Sequence, residues 1–162
     1  MLIRNNIHAS RVSCPLANVC VIDLHLEEPI RIVALYAPAS KSWKWPDLTS
    51  LTSTRCVVMG DFNVDLEKDG DKADSLLEWM DSRALGPCVP DKNTSLRSDR
   101  TIDYALAAGI DVTIQTYEGE TTSDHKPLFC TLACDGKESK EGCRTLWAVF
   151  SSVLSYTFDF WE

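Results

Sequence analysis

Val57-Val58-Met59-Gly60-Asp61-Phe62-Asn63 is the stretch whose reading decides the fold. The apolar, β-branched run from Cys56 to Met59 predicts a buried strand. Gly60 permits a tight exit, and Asp61 and Asn63 follow it at once. In an open α/β sheet, ligands bind outside the carboxyl ends of the strands, so an acid and an amide delivered there face a cleft. Asp61 offers a hard anionic oxygen to a divalent metal, and Asn63 a neutral donor and acceptor to a water or a phosphate. The same residue types also build an Asx turn after a strand, and the stretch alone does not choose between the two.

Its company does. Leu35-Tyr36-Ala37-Pro38 stands upstream; Thr101-Ile102-Asp103-Tyr104-Ala105-Leu106 and Ser123-Asp124-His125-Lys126-Pro127-Leu128 stand downstream. Each puts a chemistry-bearing side chain at the edge of an apolar run. In this order the four segments resemble the endonuclease/exonuclease/phosphatase superfamily of metal-dependent phosphodiesterases, and within it the endonuclease domain of non-LTR retrotransposons. The resemblance runs from Leu2 to Leu132.

It implies a two-sheet α/β sandwich that performs Mg2+-dependent phosphodiester hydrolysis, with Mn2+ as the alternative ion. By resemblance, His125 is the base-like residue and Asp103 its partner. Asp61 polarises the attacking water, Asn63 holds the phosphate, and Tyr36 hydrogen-bonds the scissile phosphate. Asp124 and Asp61 are the carboxylates at the metal. DNA is the implied substrate, and a reverse-transcriptase region downstream the implied partner. The superfamily also carries an asparagine and a metal-binding glutamate on its first strands, before the tyrosine motif. No glutamate precedes Glu27 here, and Glu27-Glu28 sits in a turn. The expectation is therefore a domain over residues 1–134 that lacks its first strands, binds metal weakly and is impaired in activity.

The residue chemistry points the same way. Hydrolysis of a phosphodiester needs a base or positioner for water, and that base needs an orienting carboxylate. It also needs a cation on the phosphate oxygens and leaving group. Ser123, His125 and Asp103 form a rival set, that of a serine hydrolase. Ser123 and His125 lie too close in sequence to meet productively, and no Gly-x-Ser-x-Gly elbow exists. Two other readings stand beside DNA cleavage: an RNA or small-molecule phosphodiesterase, and a catalytically dead fragment serving as an interaction module.

Composition sets limits on these. With 162 residues, 44% hydrophobic and 25% charged, the chain suits one soluble domain with a sizeable core. No apolar run approaches the ~18 residues that span a bilayer. The start, Met1 to Asn6, lacks a secretory signal, so the expected location is nuclear or cytoplasmic rather than secreted. Seven scattered cysteines without a CxxC pair read as reduced, structural thiols. Lys and Arg number 16 against 24 acids, a net charge of −8. Affinity for DNA comes from Lys and Arg on phosphates, so this balance favours a small substrate or a basic surface elsewhere.

Taken in order, Val19 to Leu26 alternates and predicts a half-buried strand with Cys20, Ile22, Leu24 and Leu26 on one face. A turn at Glu27-Glu28-Pro29 leads to a second strand, Ile30 to Tyr36, in an antiparallel hairpin. Arg4 to Asn6 predicts the end of an earlier strand. Ala39 to Thr54, with Trp43 and Trp45 flanking Lys44, predicts a short helix or loop that packs one Trp inward. Lys72 to Leu85 predicts a helix with Ala73, Leu76, Leu77, Met80 and Ala84 on its apolar face, ended by Gly86-Pro87. Asp69, Asp71, Asp74, Glu78 and Asp81 read as its solvated side. Cys88 to Arg100 is a polar loop; its Asn93-Thr94-Ser95 sequon should stay unmodified, and Arg97 and Arg100 could meet a nucleic-acid backbone. Strands follow at Ile102 to Ala107, Val112 to Tyr117 and Leu128 to Leu132. Residues 135–162 predict a charged linker and an amphipathic helix, which either docks on the core or leads into a following domain. Its polar face is not basic, which argues against a membrane surface.

Overall fold

The computed structural model describes residues 1, 3, 7–38 and 44–134. β3 (Ile30–Tyr36) and β4 (Cys56–Asp61) run parallel, in register from Arg31↔Cys56 to Tyr36↔Asp61. β2 (Val19–Leu24) and β1 (Ala9–Val12) extend the sheet on one side, each antiparallel to its neighbour. β6 (Asp103–Ala108) pairs antiparallel with β4, and the short β5 (Gly86–Cys88) forms the far edge. The spatial order is β1-β2-β3-β4-β6-β5, and β7 (Val112–Thr116) with β8 (Leu128–Leu132) makes a second, two-stranded sheet.

Both faces of the large sheet are covered, which is why its central strands read as near-continuous apolar runs. On one face Val33, Leu35, Val58, Tyr104 and Leu106 pack under α1 (Asp71–Ser82) and a 3₁₀ helix, Trp45–Leu51. On the other, Ile30, Ile32, Val57, Ala105 and Ala107 pack toward Val112, Ile114 and Leu132 of the small sheet. The two-sheet α/β sandwich expected from the sequence is the architecture found.

Several local expectations change. β2 is buried on both sides at its centre, with Val21 at 0% and Ile22 at 7% exposure, because the layers sandwich it. The first strand lies at Ala9–Val12, and Arg4 to Asn6 fall outside the described residues, as do Trp43 and all of 135–162. Trp45 is the tryptophan that packs inward. α1 stops at Ser82, not at Leu85: Ala84 takes a left-handed φ of 52° and Leu85 N–H closes back on Met80 O at 2.9 Å. Trp79 is buried on its inner face, whereas Leu77 is partly exposed and Ala84 points to solvent. Gly86-Pro87 does not merely end a helix; it enters the sheet as an edge strand, where a residue without an N–H is tolerated.

β4 also runs further than the sequence implied, carrying Gly60 and Asp61 inside the ladder. Gly60 has φ +145°, and any side chain there would drive into the carbonyl oxygen of Leu35 on β3. Glycine serves close approach of two backbones here, rather than a turn. Asp69 is no solvated helix acid. Its Oδ2 accepts from Asp65 N at 2.9 Å and from the Arg100 guanidinium, so it staples the loop after β4 to the loop before β6. All six cysteines among the described residues are free thiols, and no helix there is long and apolar enough to cross a membrane.

Candidate active site

Register alone places three site residues in a row. Tyr36 pairs with Asp61, and Asp61 with Asp103, across β3, β4 and β6. Strand alternation puts all three on the face that Ile32, Val57 and Ala107 turn toward the small sheet. The neighbouring residues anchor the row from behind. Phe62 and Tyr104 stack in the opposite core with ring centroids 4.3 Å apart, and Tyr104 Oη donates to Val64 O at 2.9 Å. Phe62 N–H donates to Ile102 O, and Ala37 N–H to Asp61 O, both at 2.8 Å.

His125 comes from the long connection between β7 and β8. Its Nδ1 lies 2.8 Å from Asp103 Oδ2. An ionised carboxylate only accepts, so this nitrogen carries the proton and Nε2 is left for chemistry. Thr94 fixes both partners at once. Fully buried, its Oγ1 accepts from Ile102 N at 3.0 Å and Asp103 N at 3.1 Å, while its carbonyl accepts from Lys126 N at 2.8 Å. A backbone bridge between Ser95 and His125 completes the seam. In the sequence Thr94 reads only as part of a sequon. Its only signal was a β-branched hydroxyl residue in an otherwise polar loop, and its partners lie on two distant segments.

Asp61 is held rigidly. Asn63, at φ 50°, donates its backbone N–H to Asp61 Oδ1 at 2.9 Å. Its Nδ2 donates to Asp61 Oδ2 at 3.1 Å and to Ala37 O at 2.6 Å. Both acceptors fix the amide's orientation and commit both of its hydrogens, leaving the side-chain oxygen, an acceptor. Tyr36 ends its strand half exposed (50%), within the row but open to solvent. Asp124 is not brought in: its carboxylate pairs with Arg97 Nε at 3.1 Å. Ser123 Oγ accepts the backbone N–H of His125 at 3.1 Å, not its ring.

Asp61, Asp103 and His125 offer ligand atoms within 4.8 Å of one another. Beneath them a cavity of about 430 Å³ opens between the sheets, walled by Ala34, Met59, Ala105, Ile114, Leu128 and Cys130. Burial raises the pKa of Asp61, and the nearby Asp103 charge raises it further, against the hydrogen bonds from Asn63. The two close carboxylates, with anionic charge resisted by burial, suit a hard divalent cation in their oxygen donors and electrostatics. The imidazole is the softer donor, and its Nδ1 is committed to Asp103.

Burial disfavours the imidazolium of His125, but the hydrogen bond and charge of Asp103, with Asp61 and Asp124, outweigh it and raise the pKa above 6.5. A group whose pKa is raised on folding stabilises the fold fully below its unfolded value and ceases to do so as pH climbs through its folded value. The His125 contribution should therefore be complete below about pH 6.5 and vanish above the elevated value. Melting temperatures followed from about pH 5 to about pH 9 check this. The wild type should lose a stability increment across that window that Asp103→Asn lacks; equal profiles would contradict it.

The fold matches solved structures at low identity. One is an endonuclease/exonuclease/phosphatase family protein from Leptotrichia buccalis C-1013-b (TM-score 0.58, 15% identity, 72% of this chain and 53% of that chain). A second is the 3′ phosphatase NExo from Neisseria, bound to product DNA hairpin (0.54, 16%, 82% and 72%). A third is the cytolethal distending toxin of Actinobacillus actinomycetemcomitans (0.52, 16%, 75% and 57%). The chain thus spans little more than half of the first and third of these. No curated protein matches it. Residues 30–129, from the start of β3 to the second residue of β8, match the family described as endonuclease-reverse transcriptase. That match takes in Tyr36, Asp61, Asn63, Asp103 and His125, and the chain belongs to this family of the endonuclease/exonuclease/phosphatase superfamily.

Proposed function

We propose that this chain carries the catalytic face of a divalent-metal-dependent phosphodiesterase, the DNA endonuclease of a non-LTR retrotransposon whose reverse-transcriptase region is its partner. The observation that carries the reading is the Asp103–His125 pair at 2.8 Å, set beside Asp61 at the mouth of the cavity. Asp103 holds the Nδ1 proton and orients the ring, so Nε2 takes or gives a proton at the attacking water. Asp61, fixed by Asn63, accepts from that water and would hold the cation through its carboxylate. When bound, Mg2+ or Mn2+ would supply charge stabilisation on the phosphate oxygens and leaving group. Asn63 buttresses Asp61 in this arrangement, because its two amide hydrogens are spent. Tyr36, half exposed beside Asp61, would donate its hydroxyl to a phosphate oxygen, and Asp124 pairs with Arg97. The expected location is nuclear or cytoplasmic.

The net charge of −8 favours a second reading, a phosphodiesterase acting on small or RNA substrates. One assay separates the two. The full chain is incubated with supercoiled plasmid, single-stranded RNA and a small aryl phosphodiester, with Mg2+ or with excess chelator. Slow, impaired nicking of plasmid that chelator abolishes is the expected result; turnover confined to RNA or the small diester selects the second reading. Mg2+ should also raise the melting temperature, by about 1.4 kcal/mol of stabilisation at ten times Kd, and Asp61→Asn should remove the shift. Metal-independent cleavage would refute the proposal.

A further inference from the structure

Arg97 and Arg100 share one short strap but have opposite fates. The Arg100 guanidinium is turned inward, donating to Asn63 O at 3.3 Å and pairing with Asp69. Arg97 is turned outward, its side chain 80% exposed, with Asp124 as its ionic partner at 3.1 Å. Asp124 adjoins His125 yet is absent from the cavity wall, where Ser123 and His125 both stand.

The backbones beneath this pair cannot drift apart easily. Leu96 N–H donates to Asp124 O at 2.8 Å, Lys126 N–H to Thr94 O at 2.8 Å, and Ser95 bridges to His125. What is free to change is the side-chain partnership. An exposed ion pair between flexible side chains is weak and readily screened. A guanidinium fork accommodates phosphate oxygens in the same geometry as a carboxylate. Asp61 and Asp103 make the site acidic, Lys126 is the cation on the cavity wall beside His125, and Arg97 adds a second on its outer side.

We infer that Arg97 is a phosphate-capturing residue for the DNA strand, and that Asp124 occupies it in the free protein as an exchangeable internal anion. A backbone phosphate displaces the carboxylate from Arg97. The freed Asp124 then stands unpaired one residue from His125, so its negative charge returns to the acidic site as substrate arrives. The inference rests on the reading of the site as one for phosphodiesters.

Binding of a short labelled duplex, measured by fluorescence anisotropy in excess chelator over a series of salt concentrations, tests it. Arg97→Ala should weaken binding several-fold and lower the salt-dependence slope by about one. Arg97→Lys should keep the slope. Asp124→Asn should tighten binding in the wild-type background and do nothing in the Arg97→Ala background. That sign reversal is the signature of competition, since a merely structural pair would weaken binding when either partner is lost. Tightening by Asp124→Asn of equal size with and without Arg97 would reduce the effect to general charge repulsion and overturn the inference. So would an Arg97→Ala variant with wild-type affinity and slope. If the wild type binds no duplex while remaining folded, the DNA reading falls and the inference with it.

Discussion

Replacing His125 with alanine is expected to lower metal-dependent phosphodiester cleavage by about 10²–10⁴-fold, the usual contribution of a positioned acid-base group. The geometry behind this is the single ring that Asp103 orients at 2.8 Å through Nδ1, which leaves Nε2 free for proton transfer. Asp103→Asn should act in the same direction. It removes the charge that raises the His125 pKa and that fixes the Nδ1 proton, while retaining the bulk of the side chain. Because these groups act in the transition state, the loss should fall on kcat with KM little changed. Ser123→Ala provides the contrast. Its hydroxyl is tied to the His125 backbone, so the rate should survive that substitution. Rates measured with enzyme in excess over plasmid decide the matter. Cleavage that survives His125→Ala, or collapses with Ser123→Ala alone, would contradict the assignment.

Gly60→Ala is expected to be the most damaging small substitution to the fold. A Cβ at residue 60 meets the Leu35 carbonyl, which is backbone in the neighbouring strand and cannot rotate away. The two strands must separate at their Leu35↔Gly60 register, between the central core and the Tyr36–Asp61 pair. Overpacking of this kind costs about 1–3 kcal/mol, and a side chain forced to φ +145° adds roughly 1–3 kcal/mol more. Against a typical domain stability of about 5–15 kcal/mol, this brings the chain near unfolding. Denaturant titration should show a midpoint shifted down with little change in slope. The same change at Gly70 meets no atom within 4 Å, although its φ of +47° retains some strain, and it should cost less. Equal effects at the two glycines would show that steric approach to Leu35 is not the cause.

The Asp103–His125 pairing came only through the family resemblance, whereas the order of the motifs and the strand cores were legible in the linear chain itself. They are local patterns: an apolar run ending in an acid, or an Asp-His step opening a strand, reports its own surroundings. Which face each strand buries is equally local, as Ile30, Ile32 and Val57 illustrate, because alternation is set by backbone geometry. The tertiary structure decided what depends on register between distant segments. It placed Tyr36, Asp61 and Asp103 in one row, turned Gly60 from a turn residue into a point of contact with Leu35, and made an edge strand of Gly86–Cys88. It also sorted charges that look alike in sequence. Asp69 and Arg100 became an internal staple, Asp124 and Arg97 an outward pair, and Asp61 a buttressed carboxylate. A polar side chain has no periodicity to reveal its partner. Thr94 bonds residues 8 and 9 positions away, and His125 meets an acid 22 positions away, because folding brings their backbones together.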